Sequence, residues 1–462
     1  MKFEILHRDT RDHIRLIIIF AGWGMDTRPF AGLAPAGYDL AVAWDYTDLS
    51  TDAWDGDLTA YGEIVVVGWS FGVAAASHFI ASHPGLHITA RMAVNGTNHP
   101  VDDSLGIPAD IFRSTLDGLD ERSVRKFHMR MCGGAAAARE CASSMPVRSL
   151  EELRAELAAI GGRNCPSVMW DRAFVSTDDL IISPANQRSE WASEAYGTVT
   201  IPGPHLPDFS MLLSRYLTDK SLVAEKFAGA GGSYDSAAII QRRIADRLLA
   251  MLPSHGGDAP CVLEIGPGTG YSSAVISRHM SPRRFDLWDL CLHPSLFSIN
   301  GASPVEADAE SMMFTAPDGC YDLVYTSSAI QWFNSLPAFM RNLERVLAPG
   351  GCALISTFGP RTMHEIHDAL ATTSTFHDTV AIRAMIPDTL VVEDIISEEE
   401  LLLFPSPLDV LRHIKHTGVN ATAPALGGAT AARRLLSSYP GHPTGRSPLT
   451  YQPIYISLRK PL

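Results

Sequence analysis

Ile64-Val65-Val66-Val67-Gly68-Trp69-Ser70-Phe71-Gly72 decides the fold of the first half of the chain. A continuous β-branched run bounded by glycine reads as a buried strand of a parallel sheet. Gly68-Trp69-Ser70-Phe71-Gly72 then fits G-x-S-x-G, and Val73–Ala81 reads as a helix. Strand, sharp turn and helix in that order make a nucleophile elbow. The glycines let strand and helix approach closely, and the strained turn lifts the Ser70 hydroxyl above the sheet. The pentapeptide alone arises often by chance. Its context here is the strand before it and the small residues Ala74, Ala75 and Ala76 after it.

Serine is a weak nucleophile at neutral pH and needs a base, itself oriented by an acid. On this fold the chain order is serine, acid, histidine. Asp178-Asp179 follows the strand-like Ala173–Thr177 and precedes Leu180-Ile181-Ile182-Ser183-Pro184. Asp179, which opens a D-x-I-x-x-P run, is the expected acid, with Asp178 its competitor. The histidine belongs after the last strand, where Thr198–Ile201 runs into Gly203-Pro204-His205. His205 is thus chosen by position and order, while His78 and His83 read as structural. The oxyanion hole takes the N–H of Phe71, after the nucleophile, and one from the first βα loop. That loop is Ala21-Gly22-Trp23-Gly24-Met25-Asp26, with Trp23 the expected donor. Trp23 and Trp69 read equally as walls of an acyl channel and as core.

A second turn, Val262-Leu263-Glu264-Ile265-Gly266-Pro267-Gly268-Thr269-Gly270, is E-x-G-x-G-x-G rather than the dinucleotide G-x-G-x-x-G. A strand runs into a loop whose bare backbone can approach a ligand before a helix opens. Glu264, Gly266, Gly268 and Gly270 are therefore candidate binding residues. Asp289 lies 21 residues after Gly268 and closes Phe285-Asp286-Leu287-Trp288, where an acid accepts from ribose hydroxyls. Asp308-Ala309 sits near the next strand position, where a carboxylate can accept from an adenine amine. Tyr321-Asp322-Leu323-Val324 reads as the fourth strand, and Leu347-Ala348-Pro349-Gly350-Gly351 as the turn before the fifth. This ordered set resembles a class I S-adenosylmethionine-dependent methyltransferase, which implies S-adenosylmethionine as methyl donor and no metal.

The expected architecture is α/β in two domains: an α/β-hydrolase sheet with a helical cap, then a Rossmann-like methyltransferase. Residues 1–215 form the first, with a cap at about 98–162, and residues 216–462 the second, the passage lying near Pro207–Thr218. Ser221–Leu252 reads as helix with a weak point at Gly229-Ala230-Gly231-Gly232, and Tyr451–Leu458 as an antiparallel edge strand. Of the 462 residues, 46% are hydrophobic and 19% charged, which excludes disorder as the main state. The net charge of −14 argues against bulk binding to nucleic acid. After Asp409 there is no acidic residue, so Arg412, Lys415, Arg433, Arg434, Arg446, Arg459 and Lys460 make a basic tail. Seven cysteines without a CxxC pair fit neither a disulfide framework nor a zinc site and point to a reducing cytoplasm. Met1-Lys2-Phe3-Glu4 does not read as a signal peptide. The apolar runs are strand length, and no membrane span is expected.

The stretch FAGWGMD from Phe20, the elbow, Val124-Arg125-Lys126-Phe127-His128-Met129-Arg130-Met131-Cys132, and Asp179 with Asn186-Gln187 and Gly203-Pro204-His205 together resemble the BioG-type pimeloyl-[acyl carrier protein] methyl ester esterases. The match covers about residues 1–215, and the cap stretch is its most specific part. It implies hydrolysis of a methyl ester on a pimeloyl group held by an acyl carrier protein. Arg113–Arg139 carries six basic residues against three acidic ones. Arg125, Lys126 and Arg130 are candidate docking residues for an acidic carrier.

Glu225-Lys226-Phe227, Tyr234-Asp235, Gln241, Ser327 to Trp332, Ser356-Thr357-Phe358-Gly359, Leu411 to Ala421 and Leu449-Thr450-Tyr451 resemble the BioC-type malonyl-[acyl carrier protein] O-methyltransferases, over about residues 220–462. Two departures stand out: Met313 where that family usually has proline, and the Gly231-Gly232 pair before Tyr234. Arg412 and Lys415 are candidates for holding the malonyl group or its carrier. Together the resemblances imply a bifunctional enzyme of biotin precursor synthesis. Two other readings stay open: the same chemistries on another acyl thioester, or a carrier-binding scaffold with inactive sites.

Overall fold

Leu16 to Phe20 have no exposed surface, because β2 (Arg15–Phe20) lies inside a sheet covered on both faces. The computed structural model describes residues 1–9, 14–54, 56–230, 238–253, 259–416 and 429–462. The chain divides into two units, Met1–Ser214 and Arg215–Leu462. In the first, β1 (Lys2–His7), β2, β3 (Asp39–Trp44), β4 (Glu63–Trp69), β5 (Ile88–Val94), β6 (Arg172–Ser176) and β7 (Thr198–Ile201) form one sheet in the order β1-β3-β2-β4-β5-β6-β7. Only β1 runs antiparallel to its neighbour.

In this order the chain passes from β2 to β3 on one side, then crosses back to β4 on the other. The loops after β2 and β4 therefore part at the carboxyl edge, the place where open α/β sheets bind ligands. The elbow and the Ala21–Asp26 loop are these two loops. Helix α1 (Gly72–Ser82) follows the elbow. Four helices, α2 (Ala109–Asp117), α3 (Glu121–Met131), α4 (Ala135–Glu140) and α5 (Leu150–Gly161), intervene between β5 and β6. Capping boxes start two of them, Asp120 with Ser123 and Ser149 with Glu152. Helix α6 (Pro184–Glu194) precedes β7, and α7 (Phe209–Tyr216) occupies the stretch read as a passage between domains.

The second unit begins with α8 (Lys220–Ala230) and α9 (Ile239–Leu249). Its main sheet holds β8 (Cys261–Ile265), β9 (Arg284–Asp289), β10 (Ala302–Glu306), β11 (Tyr321–Ser327), β12 (Leu347–Phe358), β13 (Val391–Ser397) and β16 (Pro453–Arg459), in the order β10-β9-β8-β11-β12-β16-β13. Helices α10 (Tyr271–Met280), α11 (Ala309–Thr315) and α12 (Leu336–Val346) connect its parallel strands. The direction of winding reverses between β8 and β11, so the Gly266 loop and the Ser327–Ala329 loop part there. A separate ribbon pairs β14 (Glu400–Phe404) with β15 (Ser447–Tyr451).

The expected edge strand at Tyr451–Leu458 is corrected. β16 is antiparallel but interior, paired with β12 on one side and β13 on the other. Its Ile454, Ile456 and Leu458 are fully buried, which alternation with polar residues does not by itself reveal. The basic tail is also partly absorbed by the fold. Arg459 pairs with Glu393 at 2.6 Å, and Lys460 donates to the carbonyls of Glu344 and Leu347. Gly231, Gly232, Tyr234, Asp235 and Thr417–Ala421 lie outside the described residues. Among the described residues no helix is long and apolar enough to cross a membrane.

Candidate active sites

Ser70 stands between β4 and α1 at φ +57, a left-handed conformation that costs about 1–3 kcal/mol in a non-glycine residue. The surroundings hold it there. Its N–H donates to Val94 O at 3.0 Å, and its carbonyl accepts the Val73 N–H at 3.1 Å. Close approach demands glycine at 72, where a Cβ would fall 2.1 Å from Phe20 O. Gly22, in the first βα loop, lies against the nucleophile: its Cβ would be 3.3 Å from Ser70 Cβ.

His205 is fully buried, and its Nδ1 lies 2.8 Å from Asp179 Oδ2. Asp179 also accepts from Gln187 Nε2 at 2.8 Å and from the N–H groups of Ile181 and Ile182 at 2.8 and 3.0 Å. Burial raises its pKa, but attraction to and the hydrogen bond from His205, with the Ile181 and Ile182 N–H groups, outweigh burial and hold it below the usual value. Asp178 is exposed and accepts from Thr177 Oγ1. The geometry thus separates the two acids. Among the described residues no hydrogen bond joins Ser70 to His205, and the buried His205 Nε2 has no partner. The His205 carbonyl is held by Asn95 Nδ2 and Trp69 Nε1, each at 2.9 Å.

The two tryptophans are core. Trp69 is fully buried, and Trp23, 4% exposed, donates Nε1–H to Leu153 O and packs edge-on against Phe127. The channel alternative for these indoles is therefore dropped. The backbone N–H groups of Trp23 and Phe71 donate to no acceptor among the described residues. His78 and His83 bind Asn164 O and Thr51 Oγ1, structural contacts. Arg125, Lys126 and Arg130 are exposed on α3, with Arg125 paired to Glu121 at 3.4 Å. Asn95 was missed in the sequence, since nothing local marks an asparagine after a strand as a support for a histidine 110 residues on.

In the second unit a cavity of about 300 Å³ opens at the carboxyl ends of β8, β9 and β11. Gly266, Gly268, Asp289, Asp308 and Ala309 line it, together with Phe227, Trp288, Leu290, Ala329 and Trp332. Glu264 and Gly270 do not. Glu264 is buried beneath the loop, where burial first, and Asp289 as well, push its carboxyl up to about 8. Gly270 starts α10 with its back to Ile299 and Leu296. At Gly266, φ +68, a Cβ would come 2.5 Å from Ala329 Cβ. Asp289 accepts from Gly268 N at 3.0 Å and Cys291 N at 3.2 Å, and burial raises its pKa. Two carboxylates, bare glycine backbone and apolar walls fit a nucleoside ligand. Its hydroxyls and amine would donate to the acids, and its ring would pack on the apolar side.

Lys220, from α8, also lines the cavity. Its buried Nζ lies 3.0 Å from both Asp308 oxygens and 2.8 Å from Glu310 Oε2. The sequence reading passed it over, because a lysine opening a helix looks solvated. Arg412 and Lys415 do not reach the cavity wall. Both are exposed on the helix Pro407–His416, and Arg412 pairs with Asp409 at 2.9 Å. Met313, where proline was expected, is buried in the core.

The family described as pimeloyl-ACP methyl esterase BioG matches residues 4–212, and a methyltransferase domain family matches residues 236–392. The crystal structure of BioG from Haemophilus influenzae is similar at 36% identity, covering 44% of this chain and 94% of that one, with a TM-score of 0.40. A malonyl-[acyl-carrier protein] O-methyltransferase of Bacteroides thetaiotaomicron is 33% identical over 52% of this chain and 98% of its own length. One of Bacteroides fragilis is 34% identical over 96% of this chain and 92% of its own. A likeness that runs through both units is not that of a shared domain alone: the chain belongs to the malonyl-[acyl-carrier protein] O-methyltransferase family, in a form whose N-terminal part matches BioG.

Proposed function

We propose that the chain is a bifunctional enzyme of biotin precursor synthesis. Its C-terminal unit methylates the free carboxylate of malonyl-[acyl carrier protein], and its N-terminal unit hydrolyses pimeloyl-[acyl carrier protein] methyl ester. The observation that carries this reading is the pairing on one chain of an elbow serine and a buried Asp179–His205 couple with a glycine-loop cavity that presents two carboxylates.

In the esterase, Ser70 Oγ attacks the ester carbonyl while His205 Nε2 takes its proton. Asp179 fixes the imidazole with Nε2 as acceptor and stabilises the imidazolium. The N–H groups of Trp23 and Phe71 receive the oxyanion. His205 returns the proton to the departing methanol, and water then cleaves the acyl-serine by the same steps. The hydrogen bond from Ser70 to His205 forms with substrate in place, as catalytic contacts often tighten only then.

The methyltransferase needs no general base, because the malonyl carboxylate is already an anion at neutral pH. S-adenosylmethionine, when bound, supplies an electrophilic sulfonium methyl. Asp289 and Asp308 hold its nucleoside and the Gly266–Gly268 backbone lets it approach. Glu264 and Gly270 shape the loop from behind, and the apolar walls strip water from the acceptor. Methylation hides a charge that would be costly to bury in an apolar acyl channel, and hydrolysis restores it after elongation. The carrier docks through Arg125, Lys126 and Arg130 on the esterase. Arg412 and Lys415 serve the carrier rather than the methyl acceptor. Seven free cysteines support a reducing, cytoplasmic setting.

An intact-mass spectrum of carrier protein tests both activities in one tube of enzyme, S-adenosylmethionine, malonyl-carrier and pimeloyl-carrier methyl ester. Malonyl-carrier should gain one methyl and the pimeloyl ester lose one. If neither mass moves, the biotin assignment falls.

A further inference from the structure

We propose that Glu156, on helix α5, is a positioning residue for the oxyanion hole: it clamps the first βα loop so that the Trp23 N–H faces the carbonyl attacked by Ser70. The inference rests on the esterase reading above.

Glu156 is fully buried and lies 132 residues from the loop it binds. Its Oε2 accepts the Gly24 N–H at 3.1 Å, and its Oε1 accepts the Tyr46 N–H at 3.0 Å. Arg148, 6% exposed, donates Nη1–H to Oε2 at 2.7 Å. These groups are all donors, so a carboxylate satisfies them and an amide of the same size does not. The same helix grips the loop twice more. Leu153 O takes the Trp23 indole N–H at 2.9 Å, and Leu153 Cδ2 would sit 2.9 Å from a Cβ on Gly24, which stands at φ +74.

Trp23 is therefore held at its side chain and at the peptide that follows it, which restricts how its own N–H can turn. That N–H belongs to the peptide after Gly22, where an added Cβ would lie 3.3 Å from Ser70 Cβ. It donates to no acceptor among the described residues. A fixed N–H with no internal partner beside the nucleophile is what oxyanion stabilisation requires. Without the clamp the loop could turn that N–H toward any nearby carbonyl, and the hole would lose a donor.

The test uses the full chain and the hydrolysis of a p-nitrophenyl ester, with Glu156→Gln and Trp23→Phe beside the wild type. Glu156→Gln should lower kcat about 10- to 100-fold with KM unchanged, since loop misplacement spoils the transition state and not substrate binding. Affinity for a trifluoromethyl ketone, which places a tetrahedral oxyanion on Ser70, should fall with kcat. A folded Glu156→Gln variant with wild-type kcat and ketone affinity overturns the proposal, as does a change in KM alone. If Glu156→Gln does not fold, Trp23→Phe carries the test, because it breaks the indole bond by which the same helix holds the loop, together with part of the packing on Phe127. A lower kcat at constant KM is then expected, and an unchanged kcat overturns the role. Failure of the esterase reading looks different: the wild type itself would neither turn over the ester nor be labelled at Ser70 by a fluorophosphonate.

Discussion

His205 Nδ1 meets Asp179 Oδ2 at 2.8 Å in a pocket that leaves the two side chains 1% and 0% exposed. Asp178, its sequence neighbour, faces water. Asp179→Asn should cut esterase kcat by about 10²–10⁴-fold, since an amide there holds the imidazole in the wrong tautomer. Asp178→Asn should stay near wild type. Steady-state hydrolysis decides, and similar losses in both variants would deny Asp179 its role.

Lys220 joins Asp308 and Glu310 where all three side chains are at most 7% exposed. Removing one partner of a buried ion pair typically costs about 3–5 kcal/mol. Lys220→Met should thus lower the melting temperature. It should also weaken S-adenosylmethionine binding, because α8 and Asp308 both wall the cavity. Calorimetry reads both quantities; unchanged donor affinity would confine Lys220 to a structural role.

Glu264 has a folded pKa raised to about 8, chiefly by burial, so the fold holds the neutral acid. The stability tied to that group is intact below its unfolded value of about 4.3. It is lost as pH rises through the folded value. Glu264→Gln is neutral throughout, so its melting temperature should climb relative to wild type across that interval. Parallel melting curves for the two proteins would count against a buried neutral acid.

At Gly266 the pinch against Ala329 and the positive φ act together. Gly266→Ala should abolish S-adenosylmethionine binding at concentrations that saturate the wild type. Titration calorimetry would show it, and retained binding would mean that the loop yields more readily than its contacts imply.

The exposed cations of α3 bear on carrier recognition alone. Arg125, Lys126 and Arg130 changed together to glutamate should raise KM for the carrier-bound ester, most at low salt, and leave p-nitrophenyl ester hydrolysis intact. Equal effects on both substrates would move the docking face elsewhere.

The two α/β units, the elbow turn and the glycine loop were legible in the sequence. Each is written in residues close together in the chain: a β-branched run with a turn after it, or glycines at fixed spacing. β1, β3, β5, β10, β13 and the β14–β15 ribbon were not: Lys2–His7, Asp39–Trp44 and Ala302–Glu306 lack a long β-branched run, Arg91 interrupts Ile88–Val94, and Glu393-Asp394 interrupt Val391–Ser397. Nor was the interior place of β16, because pairing with β12 and β13 leaves no mark on its own composition.

The choice of Asp179 over Asp178 lay between these extremes, a local motif that the hydrogen bond to the distant His205 supports. What tertiary structure alone decided is which far-apart groups share a buried space: Lys220 with Asp308, Asn95 with His205, Glu156 with Gly24. The physical reason is that a local pattern records how a segment satisfies its own backbone and apolar face. The partner of a buried charge or a fixed N–H is set by packing between segments, and that packing exists only once the chain has folded.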